Sequence, residues 1–196
     1  MKQINEIDLN SYRDRVYQNA VNHGWHEEEK SIEHWLCMVI SELMEAVEAD
    51  RKGKYADVDT FKYILMDDLR ERHLYGEDIE KSFVENFIEY IKDSVEDELA
   101  DACIRLLDFA GVTNSDLEEF DYEQNCVDDY SEMTFTESMY NIIKYTQNYS
   151  DNIDIIIIMN EIFAFCRSRE IDIFWFIDQK MKYNESRPFK HGGKKY

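Results

Sequence analysis

Proline occurs once and glycine six times in 196 residues, too few for a turn-rich β fold, so long helices are expected. Basic residues are scarce as well. Lys and Arg number 22 against 43 Asp and Glu, a formal charge of −21, which argues against nonspecific binding to nucleic acid or to an anionic membrane. The four cysteines, Cys37, Cys103, Cys126 and Cys166, form no Cys-x-x-Cys pair, and two of them, Cys37 and Cys103, are expected as buried free thiols. No apolar run reaches the roughly 18 residues a membrane helix needs, and the start of the chain has no apolar signal region. A reducing cytoplasm is the expected location. What is abundant is apolar and aromatic side chain, 44% and 14% of the total, which excludes wholesale disorder and suffices for one core.

Two stretches stand out. Glu42-Leu43-Met44-Glu45 and Glu98-Leu99-Ala100-Asp101 each set two carboxylates three residues apart inside an apolar, helix-periodic run. Ile32, Leu36, Val39, Ile40, Leu43, Ala46 and Val47 mark the first buried face, and Val95, Leu99, Ala102, Cys103, Leu106 and Ala110 the second. At about 100° per residue, Glu42 and Glu98 fall at the same edge of their stripes. If the stripes pack together, four carboxylates converge. Two unit charges about 4 Å apart repel by roughly 4 kcal/mol at an effective dielectric near 20, so the carboxylates either splay into water or hold a cation. Hard oxygen ligands suit Mg²⁺ or Mn²⁺. The plainer alternative is an acidic outer face on two ordinary amphipathic helices.

Around these stretches the chain reads as follows. A first helix spans about 6–22 and stops at Gly24, with Trp25-His26 in the connection. Ser31 caps a helix running to about Arg51. A short helix over Asp59–His73 and a break at Gly76 follow, and the face marked by Phe83, Phe87, Ile88 and Ile91 is expected to run on into Glu98. That helix should end near Ala110, with Gly111 just past it. Helices are expected at about 135–149, 152–168 and 171–185; Ile155–Ile158 alone would also suit a buried strand.

The segment Ser41-Glu42-Leu43-Met44-Glu45-Ala46-Val47-Glu48-Ala49, with Glu96-Asp97-Glu98-Leu99-Ala100-Asp101, resembles the MazG family of all-α nucleoside triphosphate pyrophosphohydrolases. That family's signature is a Glu-Glu-x-x-Glu helix followed by a Glu-x-x-Asp helix. The tail from Lys180 to Lys194 is similar to the end of many small MazG-like proteins, and residues 12–53, 93–119 and 171–196 carry the likeness. The chain departs from the pattern at Ser41, where the family has its first glutamate, and at about 55–92 and 112–170, which read as insertions in a single unit.

The resemblance implies a four-helix-type all-α bundle that forms a dimer or tetramer and cleaves a nucleoside triphosphate to the monophosphate and pyrophosphate with Mg²⁺. Glu42, Glu45, Glu98 and Asp101 would be the metal ligands. Lys180, Asn184 and Arg187, spaced i, i+4, i+7 in a tail with six Lys/Arg against one acid, would clamp the phosphates. Glu45 or Glu48 would orient the attacking water as general base, and Trp25 would offer a wall for the base. Two rivals stand beside this reading. A di-iron bundle needs Glu-x-x-His pairs, which neither acidic helix has. The other is an acidic helical interaction module with the same fold and no turnover.

Overall fold

The structure is a computed structural model that describes residues 7–75, 79–118, 129–147, 149–150 and 152–193. Those residues form α-helices and connections, with no strand among them. The helices are α1 (Leu9–Asn22), α2 (Ile32–Arg51), α3 (Val58–Tyr75), α4 (Ile79–Tyr90), α5 (Val95–Val112), α6 (Phe135–Thr146), α7 (Asn152–Ser168) and α8 (Ile173–Glu185). Lys190–Gly193 closes the chain as a left-handed turn, with φ of 46°, 47°, 85° and 98°.

Local chemistry sets the ends of the helices that matter here. Ser31 caps α2 by accepting from the His34 N–H at 3.3 Å, and Ser94 caps α5 by accepting from the Asp97 N–H at 3.2 Å. Glu96, Asp97 and Glu98 crowd the first turn of α5, where the helix dipole favours negative charge. The expected run of α4 into Glu98 does not occur. Asp93 takes a left-handed φ of 59°, and Lys92 N–H turns back to Phe87 O at 2.8 Å, so the chain breaks before Ser94 restarts it. Aspartate tolerates that conformation better than most residues, and serine is a strong cap.

Helix α5 is the axis of the molecule. It packs against α1, α2, α7 and α8, and the α2–α5 pairing is the most extensive. The chain after α2 bonds to the start of α5, through Val95 N–H to Lys54 O at 3.0 Å and Ala56 N–H to Glu96 at 2.9 Å. The two acidic helices are therefore antiparallel, with their carboxylate pairs side by side. Gly111 lies inside α5 rather than beyond it: a Cβ there would stand 2.6 Å from the Cβ of Tyr17, so its bareness lets α1 approach. The cap is Thr113, and Asn114 with φ 51° turns the chain away.

One hydrophobic cluster runs from Leu9 to Tyr183 and includes residues from both stretches expected as insertions. Phe61, Phe83 and Phe87 come from the first, and Ile155, Ile158, Met159, Ile162 and Phe163 from the second, all buried. The Ile155–Ile158 segment is helix, buried on α7 against α5 and α6. Of the cysteines, Cys103 and Cys166 are buried free thiols, whereas Cys37 is exposed on α2, a correction to its expected burial; Cys126 and Gly76 lie outside the described residues.

Candidate active site

Between α1, α2, α5 and α8 lies a hollow of about 470 Å³. Its acidic side comes from the two motif helices. Glu42, Glu45 and Glu98 each offer a carboxylate oxygen within 4.8 Å of the others, Glu42 and Glu98 buried and Glu45 exposed. Burial, with the charge of Asp101 next, pushes Glu42 up to about 7 and Glu98 up to about 8. Protons accumulate because this much negative charge in a desolvated place lacks enough compensation. A cation would supply it, and the trio is a cluster that could hold a metal ion. A second trio, Asp93, Asp97 and Glu98, shares Glu98 with the first.

The cationic side is arranged differently from the expected clamp. Lys180 lines the hollow, but its ammonium is buried and donates to Asp97 at 2.8 Å while standing 2.7 Å from Asp101. Asp101 thus lines the hollow as the partner of Lys180 and belongs to neither carboxylate trio. Asp97 is wholly buried; its Oδ2 also accepts from the Asp93 N–H at 2.9 Å, and its Oδ1 has no hydrogen-bond partner. Burial raises Asp97 to about 6 against the opposing pull of Lys180. Asn184 and Arg187 also line the hollow. Arg187 lies beyond the end of α8, whose cap is Ser186, so the three tail residues do not share one helical face. They meet in the hollow because the Arg187 N–H turns back to Asn184 O at 3.2 Å and its guanidinium lies 5.6 Å over the Tyr183 ring.

Trp25 lines the hollow, its ring 5.2 Å from that of His191. The tail is tied to this region. The two ring nitrogens of His23 stand 2.8 Å from Asn19 O and 2.9 Å from Arg187 O, and Lys190 N–H bonds to His23 O at 3.0 Å. Gly24, with φ +78°, leaves room for the Phe189 ring, whose nearest atom is 2.2 Å from where a Cβ would sit. Glu48 is the candidate that the structure leaves outside. It does not line the hollow and instead pairs with Arg51 at 2.9 Å and Lys52 at 3.3 Å.

Three residues of the site were not among the candidates read from the sequence. Arg105 donates from Nε to Glu42 at 2.9 Å, Asp108 accepts from His26 Nε2 at 2.8 Å, and Asp97 holds Lys180. A signal for two of them existed. Glu98, Asp101, Arg105 and Asp108 fall at i, i+3, i+7 and i+10, one continuous polar edge along α5.

The chain matches no family model, no curated protein and no solved structure. Among the described residues no helix is long and apolar enough to cross a membrane.

Proposed function

We propose that the chain is a Mg²⁺-dependent nucleoside triphosphate pyrophosphohydrolase of MazG-like type, cleaving between the α- and β-phosphates. The observation that carries the reading is a single hollow lined by the Glu42, Glu45 and Glu98 trio together with Asn184 and Arg187. Such a pairing of carboxylates with phosphate-matching donors suits a polyphosphate bridged to a hard cation.

Glu42, Glu45 and Glu98 would hold the ion, with Asp101 beside them. Bound there, a divalent cation supplies a Lewis acid that neutralises phosphate charge and makes a water nucleophilic at neutral pH. Glu45, the exposed member of the trio, orients the attacking water; Glu48, outside the hollow, has no part in that step. Arg187 grips the β- and γ-phosphates through its planar fork, and Asn184 adds a neutral donor. Lys180 acts one step back, fixing Asp97 and Asp101 in place and offsetting their charge. Charge that develops on the departing pyrophosphate falls on Arg187. Trp25 lies at the edge of the hollow, where a base would stack. No Gly-x-x-x-x-Gly-Lys-Ser/Thr loop exists in the chain to cradle phosphates for γ-transfer.

A homo-oligomer, dimer or tetramer, belongs to the same proposal and is read by light scattering. The reaction is tested by incubating the chain with Mg²⁺ and each common nucleoside triphosphate in ¹⁸O-water. The expected products are labelled monophosphate and unlabelled pyrophosphate. Orthophosphate with a diphosphate would overturn the mechanism, and no hydrolysis of any nucleotide would favour the silent interaction module.

A further inference from the structure

Beside the acidic hollow lies a second one of about 300 Å³, and the two share Trp25, Met38, Arg105 and Asp108. Its remaining lining includes the rings of His34 and Trp35. Rings and a thioether make it a place for a flat, polarisable group. It does not suit phosphate: of its cations, Lys30 pairs with Glu28, Lys190 with Glu27 and Arg105 with Glu42. With the triphosphate in the first hollow, the flat group that reaches the second is the base of the same nucleotide.

One polar group there discriminates among bases. Asp108 is buried, and His26 holds its Oδ1 at 2.8 Å, which leaves the other oxygen as an acceptor at the wall between the hollows. A carboxylate accepts from an exocyclic amino group, as on cytosine, adenine or guanine, and repels the carbonyl oxygen that uracil or thymine presents at the equivalent place.

We infer that Asp108 makes this hollow selective for bases that carry an exocyclic amino group. The inference rests on the triphosphate reading for the site next door, but its test does not depend on turnover.

The α,β-imido analogues of dCTP and dUTP, and of dGTP and dITP, are titrated against the intact chain with Mg²⁺, with tryptophan fluorescence as readout. dUTP carries a carbonyl and an N3–H where dCTP has its amino group and bare N3, and dITP lacks only the 2-amino group of dGTP. The amino member of at least one pair should bind at least about tenfold more tightly, and Asp108→Asn should shrink that gap to about twofold or less. Equal affinities within both pairs, tighter binding of the members without the amino group, or a gap that survives in folded Asp108→Asn would overturn the inference. The wild-type comparison decides even if the variant does not fold. Amino-selective binding without cleavage of any natural nucleotide would overturn the hydrolase reading alone. Equal affinities alongside pyrophosphate release from all four natural counterparts would overturn the selectivity alone.

Discussion

The ammonium of Lys180 stands 2.7 Å from Asp101 and 2.8 Å from Asp97, so one buried cation from α8 serves two carboxylates of α5. Burial alone would drive the lysine toward its neutral form, yet the two aspartates hold its pKa above the ordinary lysine value. Removing the cation would leave Asp97, wholly buried, with no opposite charge. Lys180→Met should therefore destabilise the chain by roughly 3–5 kcal/mol in urea unfolding. Adding Asp97→Asn to that variant should recover part of the loss, because the two changes act on one interaction. A Lys180→Met chain as stable as the wild type would show that the contact contributes nothing.

The pH dependence of the ion-free protein follows from the carboxylate trio. Glu42 and Glu98 are raised from 4.5 to about 7 and about 8, so between those limits the native state binds protons that the unfolded chain has released. Stability contributed by these groups must then fall as pH rises through that window. Melting temperature without divalent ions should drop from about pH 5 to about pH 8.5, and Glu98→Gln should flatten the slope. Mg²⁺ should restore more at the alkaline end, since binding no longer has to displace protons. A wild-type slope unchanged in Glu98→Gln would count against the trio as its source.

How much of this was legible beforehand depended on whether a signal was local. The Ser31 cap and the apolar stripe of α2 follow from neighbours three and four residues apart, and the structure has them, save that Ile32 at the head of the stripe is exposed. The convergence of Glu42, Glu45 and Glu98 joins two helices and comes from the packing of α2 on α5. The break before α5 was also local, written in Asp93-Ser94, but an apolar face that continues across it hides the signal. Gly111 looks like a helix stop because the residue it accommodates, Tyr17, is on another helix. The burial of Lys180 against Asp97 and Asp101 was not legible. The i, i+7 spacing does not join Lys180 and Arg187, since Arg187 lies past the end of α8, and only the packing of α8 on α5 decides which cation meets an aspartate.

Gly111 offers a direct test of that packing. In Gly111→Ala the new methyl would meet the Cβ, Cγ and Cδ2 of Tyr17 at 2.6, 2.8 and 2.9 Å. These are the root of a side chain, so α1 itself must move. Overpacking of this kind costs about 1–3 kcal/mol, against which the better helix propensity of alanine returns about 1 kcal/mol. A net loss of melting temperature is expected, together with weaker nucleotide binding, because Val16, Asn19 and Ala20 of α1 line the hollow. An unchanged or raised melting temperature would mean that the α1–α5 contact yields easily.

Glu45 and Glu48 lie three residues apart on one helix, and sequence does not rank them. Their surroundings do. Glu45 joins the trio in the hollow, whereas Glu48 pairs with Arg51 and Lys52 outside it. Glu45→Gln should lower pyrophosphate release by about two orders of magnitude or more, the usual scale for a general base, while the fold persists. Glu48→Gln should leave turnover within about twofold, since an exposed ion pair contributes little even to stability. Equal losses in the two variants would return Glu48 to the site.

Arg187 decides whether the tail belongs to the chemistry or only covers the acidic surface. Its backbone is held from two sides, by His23 Nε2 on its carbonyl at 2.9 Å and by its own N–H on Asn184 O at 3.2 Å. Its guanidinium rests over the Tyr183 ring, and Tyr183 in turn stacks on Phe87 at 4.6 Å. That preorganisation is what a phosphate fork requires, because little freedom is lost when the ligand arrives. Arg187→Ala should raise the KM for the triphosphate by about tenfold or more, the range expected for loss of a charge-assisted bidentate contact. Mg²⁺ affinity without nucleotide should stay unchanged, because Arg187 touches none of Glu42, Glu45 and Glu98 among the described contacts. Arg187→Lys keeps the charge and loses the fork, so it should recover only part of the affinity. A variant with the wild-type KM would make the tail a neutralising strand and remove the phosphate clamp from the mechanism.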